Sequence, residues 1–231
     1  MKRILSLLLA LVMVLTLFPV MAPRAEAKTG GKLVALTFDD GPSGRFTRRL
    51  LDGLEQRNVP ATFLLCGYRI AQYPKETARI IEEGHEIGLH GYSHAPMNLM
   101  DRRRLQKELQ DTLALLPKDC PVAFLRPPGG TLNAQVRAVA AENGLAILSW
   151  SVDPRDWEVR DAAAIERSVV DRVEDGDVIL LHDMSDSSVD AALSIVDKLL
   201  EKGFRFVTVS QLARSKKIAP QPGKSYGRFR D

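Results

Sequence analysis

Short apolar segments alternate with longer amphipathic segments along most of this chain. The apolar segments predict seven buried strands, at residues 32–36, 60–65, 86–89, 122–125, 146–150, 178–181 and 205–207. Between them, apolar residues recur at helical spacing and predict helices at residues 47–57, 75–83, 102–116, 134–143, 162–173 and 190–202. This alternation implies parallel strands joined by right-handed crossovers, and therefore either an open doubly wound sheet or a (β/α) barrel, complete or incomplete.

The two ends of the chain depart from the pattern. Residues 1–27 begin with Lys2 and Arg3, continue as an apolar run and end in Ala25-Glu26-Ala27, which predicts a secretory signal peptide cleaved near Ala27. An uncleaved membrane anchor is the alternative. Residues 215–231 are basic and contain Pro and Gly, which predicts a disordered tail that contacts an anionic cell wall or membrane surface or is simply solvated. We therefore expect a single catalytic domain at residues 28–214, secreted or associated with the cell wall.

The distribution of charge argues against nucleic acid as a partner. The formal net charge is +3, of which residues 1–27 contribute +2 and residues 215–231 contribute +4, so the body between them is net acidic. A nucleic-acid-binding domain would present a basic face. No second domain or internal repeat is evident, and we expect a monomer.

The chain contains two cysteines, Cys66 and Cys120. A disulfide between them is compatible with an oxidising compartment. Nothing in the sequence brings the two residues together, and two cysteines are too few for a cysteine-rich zinc site.

Side chains with catalytic or metal-binding chemistry follow the predicted strands at their carboxyl ends. In chain order they are Asp39 and Asp40, His90 and His94, Arg126, then Asp153, Asp156 and Trp157, and finally His182. In a parallel barrel these ends share one face, and barrel active sites are built on that face. An Asp-Asp-Gly-Pro turn alone is more readily explained by backbone capping, but this common location favours a functional role.

Asp39 and Asp40 can divide two tasks between them. Adjacent strand residues point to opposite faces, so one carboxylate can hold a cation while the other stays free to accept a proton. Together with Asp40, His90 and His94 form a plausible facial ligand set for a divalent metal, with positions left open for water and substrate.

His182 admits three interpretations from the sequence. It could be a core residue with a satisfied hydrogen bond, a third histidine ligand, or a general acid. We favour the general acid, because Asp156 is available to orient the imidazole and keep it protonated. Arg126 could pair with the aspartate that does not bind metal, in a structural or a functional role.

In this order, the residues resemble the five motifs of the polysaccharide deacetylases, the NodB-homology domain of carbohydrate esterase family 4. The motifs are Thr37-Phe38-Asp39-Asp40-Gly41-Pro42, His90-x-x-x-His94, Arg126-Pro127-Pro128, Asp156-Trp157 and Leu180-x-His182. The match spans about residues 32–212. The resemblance implies a distorted (β/α) barrel of about seven parallel strands that removes N- or O-acetyl groups from extracellular glycans with one divalent metal ion, commonly zinc.

The resemblance also implies a role for each motif residue. Asp40, His90 and His94 would be the metal ligands, Asp39 the general base and His182 the general acid. The backbone N–H of Gly129 would stabilise the carbonyl oxygen. The supporting roles would fall to Arg126 beside Asp39, Asp156 beside His182, and Trp157 and Leu180 in the pocket for the acetyl methyl and the sugar.

The chain departs from the family pattern at one position. The family often has Tyr directly after Arg-Pro-Pro, whereas Gly129-Gly130 stands here. A backbone N–H survives this change, but the wall that a tyrosine ring would form is lost, and more backbone freedom must be frozen.

We therefore expect a secreted, metal-dependent deacetylase of N-acetylated cell-wall glycan, with N-acetylglucosamine of peptidoglycan as the leading substrate and zinc as the expected metal. A chitooligosaccharide deacetylase and a xylan O-acetyl esterase are the enzymatic alternatives. A non-catalytic glycan-binding module on the same barrel is the alternative of another class. A metallopeptidase is disfavoured, because no helical His-Glu-x-x-His signature is present.

Overall fold

The eight strands of the described chain form one curled sheet. A computed structural model describes residues 31–230, and the predicted signal peptide lies outside them. The strands are β1 (Lys32–Asp39), β2 (Thr62–Leu65), β3 (Glu86–Leu89), β4 (Val122–Leu125), β5 (Ala146–Leu148), β6 (Val178–His182), β7 (Phe204–Phe206) and β8 (Ser225–Tyr226). Their order is β6-β1-β2-β3-β4-β5-β8, with β7 also paired to β1, and every pairing is parallel.

Two isolated bridges join the two sides of the curl. One is parallel, between Val152 beyond β5 and Ile179 of β6, and the other is antiparallel, between Asp177 and Arg228. The predicted distorted barrel of about seven parallel strands is confirmed, and the two-residue β8 is an addition to it.

Eight α-helices lie in the described chain. They are α1 (Arg45–Gln56), α2 (Gly67–Gln72), α3 (Pro74–Glu82), α4 (Arg102–Leu113), α5 (Ala134–Glu142), α6 (Ala162–Val170), α7 (Asp186–Glu201) and α8 (Val209–Ser215). Six correspond to predicted helices, whereas α2 and α8 are too short to show helical periodicity. Helix α7 begins earlier than predicted, because Ser185 caps it by accepting a hydrogen bond from the Ser188 backbone N–H. None of these helices is long and apolar enough to cross a membrane.

Side chains along β1 alternate between two cores. The even-numbered side chains pack between the sheet and the helices: Val34, Leu36 and Phe38. Leu33 and Ala35 belong instead to a smaller core, the inner core, which also contains Leu64, Phe124 and Leu148 from other strands. Thr37 and Asp39 have the same parity as Leu33 and Ala35 and therefore extend this inner side towards the carboxyl end of β1. The inner side of β1 thus changes from apolar to polar along its length.

The prediction of a disordered tail is wrong. Residues 215–230 continue the domain, because Ser225–Tyr226 pairs with β5 and the Phe229 side chain is fully buried in the inner core. Arg228 Nε lies 2.6 Å from Asp177 Oδ1. Sequence composition suggested disorder, but burial of one aromatic ring and pairing of one arginine fix this segment against the sheet.

Neither cysteine is in a disulfide. Cys66 is buried at the end of β2, and Cys120 is partly buried ahead of β4. Burial raises the pKa of both thiols, which disfavours the reactive thiolate.

Candidate active site

A cavity of about 400 Å³ opens at the carboxyl ends of the strands and brings most of the predicted site residues together. The predicted residues that line it are Asp39, Asp40, His90, His94, Gly129, Trp157, Leu180 and His182. The other two, Arg126 and Asp156, contact Asp39 and His182 from behind. The register of β1 and β6 pairs Asp39 with His182, so the proposed base and acid lie side by side on neighbouring strands.

Asp40, His90 and His94 form a cluster of potential metal ligands. Asp40 Oδ1 lies 3.2 Å from His90 Nε2 and 3.0 Å from His94 Nε2. The three ligand atoms lie within 4.8 Å of one another, and Asp40 Oδ1 is buried without a well-directed hydrogen bond. One carboxylate and two imidazoles are a common ligand set for zinc and similar divalent cations, so these residues fit such an ion.

The protonation states also suit a cation. His90 Nδ1 lies 2.6 Å from the Arg126 carbonyl oxygen, which can only accept, so Nδ1 carries the proton and Nε2 presents its lone pair to the cluster. Burial raises the pKa of the Asp40 carboxyl, but the two adjacent imidazoles together lower it more, and it falls well below its usual range. Asp40 is therefore an anion at neutral pH.

The backbone at two of these ligands is unusual. Asp40 has φ 70° and His94 has φ 60°, in the left-handed region that non-glycine residues rarely adopt. At Asp40 this turn follows the last residue of β1, so its carboxylate reaches the histidines while Asp39 stays in the strand. Such conformations persist where the surrounding structure enforces them, and they concentrate at functional sites.

Glu108 of α4 holds the loop that carries both histidines. Its Oε2 accepts hydrogen bonds from the backbone N–H groups of Tyr92 at 2.7 Å and Ser93 at 2.8 Å, and its Oε1 accepts one from Ser93 Oγ at 2.7 Å. Glu108 was not among the site residues predicted from the sequence. The available signal was a charged residue on the buried face of a helix, beside Leu105 and Leu109.

Asp39 is anchored by a fully buried arginine. Arg126 Nη1 donates to Asp39 Oδ1 at 2.6 Å and to Thr37 Oγ1 at 2.9 Å, and the same guanidinium reaches the carbonyl oxygens of Leu148 and Ser149. Asp39 Oδ2 lies 3.8 Å from His90 Nε2. One carboxylate oxygen is thus held by Arg126, while the other lies next to the ligand cluster. Removing either partner would leave a buried charge uncompensated.

His182 is held by Asp156 through two hydrogen bonds. His182 Nδ1 donates to Asp156 Oδ1 at 2.7 Å, and the His182 backbone N–H donates to Oδ2 at 2.8 Å. Burial by itself would lower the pKa of His182, but the contacts with Asp156 outweigh it and raise the pKa to about 9. Among the described residues, His182 is not part of the ligand cluster, which favours the general acid over the third metal ligand.

Gly129 and Gly130 lie at the cavity beside the ring of Trp150. Gly129 has φ 64°, and the space where a Cβ would stand is open. A Cβ on Gly130 would lie 2.6 Å from the Trp150 ring, which also lines the cavity. An aromatic wall is therefore present beside the glycines, although Trp150 was not among the predicted site residues.

A third residue that was not predicted from the sequence, Asp183, lies beneath the Asp39–Pro42 turn. It is completely buried, and a Cβ on Gly41 would lie 2.6 Å from its Oδ1, so the turn requires glycine there. Thr47 Oγ1 donates a hydrogen bond to Asp183 Oδ2, and burial raises the pKa of Asp183 to about 6. Its signal in the sequence was a second ionisable residue directly after His182 at the end of an apolar strand.

Comparison with known proteins agrees with this geometry. A family model described as polysaccharide deacetylase matches residues 26–148. The chain belongs to the polysaccharide deacetylase family. A peptidoglycan-N-acetylglucosamine deacetylase of Bacillus cereus is 37% identical to this family member over 198 residues, which cover 83% of this chain and 92% of the relative.

Two further relatives show the range of substrates named in the family. The peptidoglycan-N-acetylmuramic acid deacetylase PdaC of Bacillus subtilis is 37% identical over 188 residues, covering 80% of this chain but only 40% of PdaC. The chain therefore spans less than half the length of that polysaccharide deacetylase. The structure of a family 4 acetyl xylan esterase from Clostridium thermocellum in complex with a cobalt ion matches with a TM-score of 0.79 and 32% identity, covering 85% of this chain and 98% of the esterase.

Proposed function

We propose that this chain is a secreted, metal-dependent deacetylase that hydrolyses N-acetyl groups of cell-wall glycan, with N-acetylglucosamine of peptidoglycan as substrate and zinc as the metal. The observation that carries the proposal is the separation of two neighbouring carboxylates in one cavity: Asp40 meets two imidazoles, and Asp39 is held by Arg126. The names of the two Bacillus relatives support a peptidoglycan substrate. The signal-like pattern of residues 1–27 supports secretion.

Asp40, His90 and His94 would hold the metal. When bound, a divalent cation there would polarise the acetyl carbonyl and lower the pKa of a water molecule. The carboxylate of Asp40 is ionised and His90 Nε2 carries a lone pair, so both groups can act as ligands without losing a proton.

The remaining residues move protons and stabilise charge. The free oxygen of Asp39, next to the ligand cluster, removes the proton from the attacking water. The Gly129 backbone N–H donates a hydrogen bond to the carbonyl oxygen as negative charge develops on it. His182, protonated at neutral pH, gives its proton to the leaving amine of the sugar, and the products are acetate and a free amino sugar.

Other side chains hold these groups and the substrate in position. Arg126 fixes the orientation of Asp39, and Asp156 fixes His182 and keeps it protonated. The half-exposed Trp157 ring and the buried Leu180 provide apolar walls of the cavity for the acetyl methyl and the sugar ring.

Acetate release tests the proposal. The purified protein is incubated with peptidoglycan, chitooligosaccharide and acetylated xylan, each with and without a chelator and with zinc added back. We expect release from peptidoglycan that stops with chelator and returns with zinc. Preferential release from chitooligosaccharide or xylan would select one of the alternative esterases or deacetylases, and no release from any glycan by folded, zinc-loaded protein would contradict the proposal and favour the non-catalytic module.

Two predictions concern surfaces outside the cavity, namely the oligomeric state and the contact of the carboxyl-terminal segment with an anionic surface. The monomeric state and the contact of residues 215–231 with an anionic surface stay predictions. Within the domain, Lys216, Arg228 and Arg230 of this segment are ion-paired with acidic side chains, which leaves fewer charges for an external surface. The acidic partners are Glu174, Asp175 and Asp177.

A further inference from the structure

A second cavity adjoins the candidate active site. It has a volume of about 340 Å³ and shares Asp40, Trp157 and His182 with the first cavity as lining residues. Trp157 is 58% exposed, so its indole is available as a surface on which a sugar ring can stack. A glycan whose acetylated sugar occupies the first cavity would therefore place a neighbouring sugar in the second.

The second cavity is lined by an arginine that no carboxylate neutralises. Among residues 31–230, Arg160 forms neither an ion pair nor a side-chain hydrogen bond. Arg155, close by in the same segment, shows the contrast, since its Nη2 lies 2.6 Å from Glu158 Oε2. The Arg160 guanidinium is thus exposed and free to bind an anion.

A second arginine approaches the same cavity from another side. Arg69 Nη2 lies 4.0 Å from the sulfur of Met184, which lines the second cavity, and Arg69 Nε donates to Tyr68 Oη at 3.1 Å. In the described part of the chain, Arg69 has no carboxylate partner either. Positive charge therefore reaches this cavity from two elements of the fold.

The carboxylates that line the second cavity do not cancel this charge. Asp40 is occupied by two imidazoles, and both oxygens of Asp156 are occupied by His182. The first cavity differs, because no arginine or lysine among residues 31–230 lines it, whereas Arg160 lines the second. The two cavities are therefore matched to different sugars, an uncharged N-acetyl sugar in the first and an acidic sugar in the second.

We propose that Arg160, supported by Arg69, binds the carboxylate of the sugar next to the one that is deacetylated. The chemistry calls for a carboxylate borne on a pyranose ring, as in the lactyl ether of muramic acid without an attached peptide. Arginine recognises carboxylates through paired N–H donors, which gives orientation as well as affinity. This inference rests on the proposed function and specifies its substrate class as an alternating neutral and acidic glycan.

Matched substrates test the role of the carboxylate. They are peptide-free oligomers of alternating N-acetylglucosamine and N-acetylmuramic acid, the same oligomers with the lactyl carboxylate converted to its carboxamide, and muropeptides that keep their stem peptides. The measured quantity is the ratio of kcat/KM for the carboxylate oligomer to that for the carboxamide oligomer. We expect a ratio of about ten for the wild-type protein, because one charge-assisted hydrogen-bonded pair is lost with the carboxamide.

Substitutions assign this preference to a residue. Arg160→Gln should bring the ratio close to one through a higher KM for the carboxylate oligomer, and Arg160→Glu should bring it below one. Arg167→Gln is the matched control, because Arg167 is also exposed and without an ion pair in the described chain but lies on α6 and lines neither cavity. Its ratio should equal that of the wild type.

Each contrary result has a distinct meaning. A wild-type ratio of one, or an unchanged ratio in Arg160→Gln, would overturn the inference while acetate release still supports the deacetylase. An Arg160-dependent preference for muropeptides over the peptide-free oligomers would overturn the assignment to the lactyl carboxylate. Acetate release from none of the substrates would overturn the proposed function and this inference with it.

Discussion

At the level of single residues, the proposed base and the proposed acid each contact one buried partner of opposite charge. Arg126 is buried and balances Asp39, and Asp156 balances His182. Burial alone would lower the pKa of His182, and the contacts with Asp156 reverse that effect. The proposed acid and base therefore depend on partners that touch no substrate.

Substituting Asp156 tests this dependence for the proposed acid. In Asp156→Asn the charge that keeps His182 protonated is removed, and burial then lowers the pKa of His182 from about 9 towards or below its ordinary value. A raised histidine pKa keeps the acid protonated below that pKa and loses it as pH rises through it. We therefore expect the alkaline limb of the kcat/KM profile to move down by about two pH units in the variant.

The shift between the two proteins is the appropriate readout, because a cation bound at the neighbouring ligand cluster would lower the absolute pKa of His182 in both. Asp153→Asn serves as control, since Asp153 lines the same cavity but accepts its hydrogen bond from the Arg155 backbone N–H at 2.7 Å. An alkaline limb that stays in place in Asp156→Asn would show that His182 does not act as the acid.

At the level of secondary-structure elements, hydrophobic patterning predicts the long helices and the fully apolar strands. It does not predict strand residues or short strands whose formation depends on tertiary contacts. Strands β3 and β4 begin and end where the apolar runs do. Strand β1 continues beyond its apolar run to Asp39, because the polar side chains of Thr37 and Asp39 accept hydrogen bonds from the buried Arg126. Strand β8 has two residues and exists only through its pairing with β5, so no periodicity could reveal it.

The carboxyl-terminal segment offers a stability test at this scale. Phe229 is fully buried in the inner core and stacks on Tyr226 with ring centroids 5.7 Å apart. Phe229→Ala should lower the free energy of unfolding by about 3–5 kcal/mol, as measured by urea denaturation. Lys224→Ala, an exposed change in the same segment, should stay within about 0.5 kcal/mol of the wild type. Equal stability of the two variants would mean that the segment does not pack on the domain in solution.

At the scale of the whole molecule, the site is assembled by parallel topology. Parallel strands place their carboxyl ends on one edge, so residues far apart in sequence meet there without any local signal of proximity. The positions of Asp39, His90, Arg126 and His182 after apolar runs were enough to predict this meeting. The second cavity was not predictable, because the neutralisation of each charge depends on side-chain contacts between elements.

Metal binding and acetate release in Asp39→Asn and Asp40→Asn distinguish the roles of the two carboxylates. Because Asn can still accept the hydrogen bond from Arg126, Asp39→Asn should bind one zinc per chain like the wild type, while acetate release falls by about 10²- to 10⁴-fold through loss of the general base. Asp40→Asn should lose zinc affinity together with activity. Wild-type turnover in Asp39→Asn, or loss of zinc equal to that of Asp40→Asn, would contradict the division of labour between the two carboxylates.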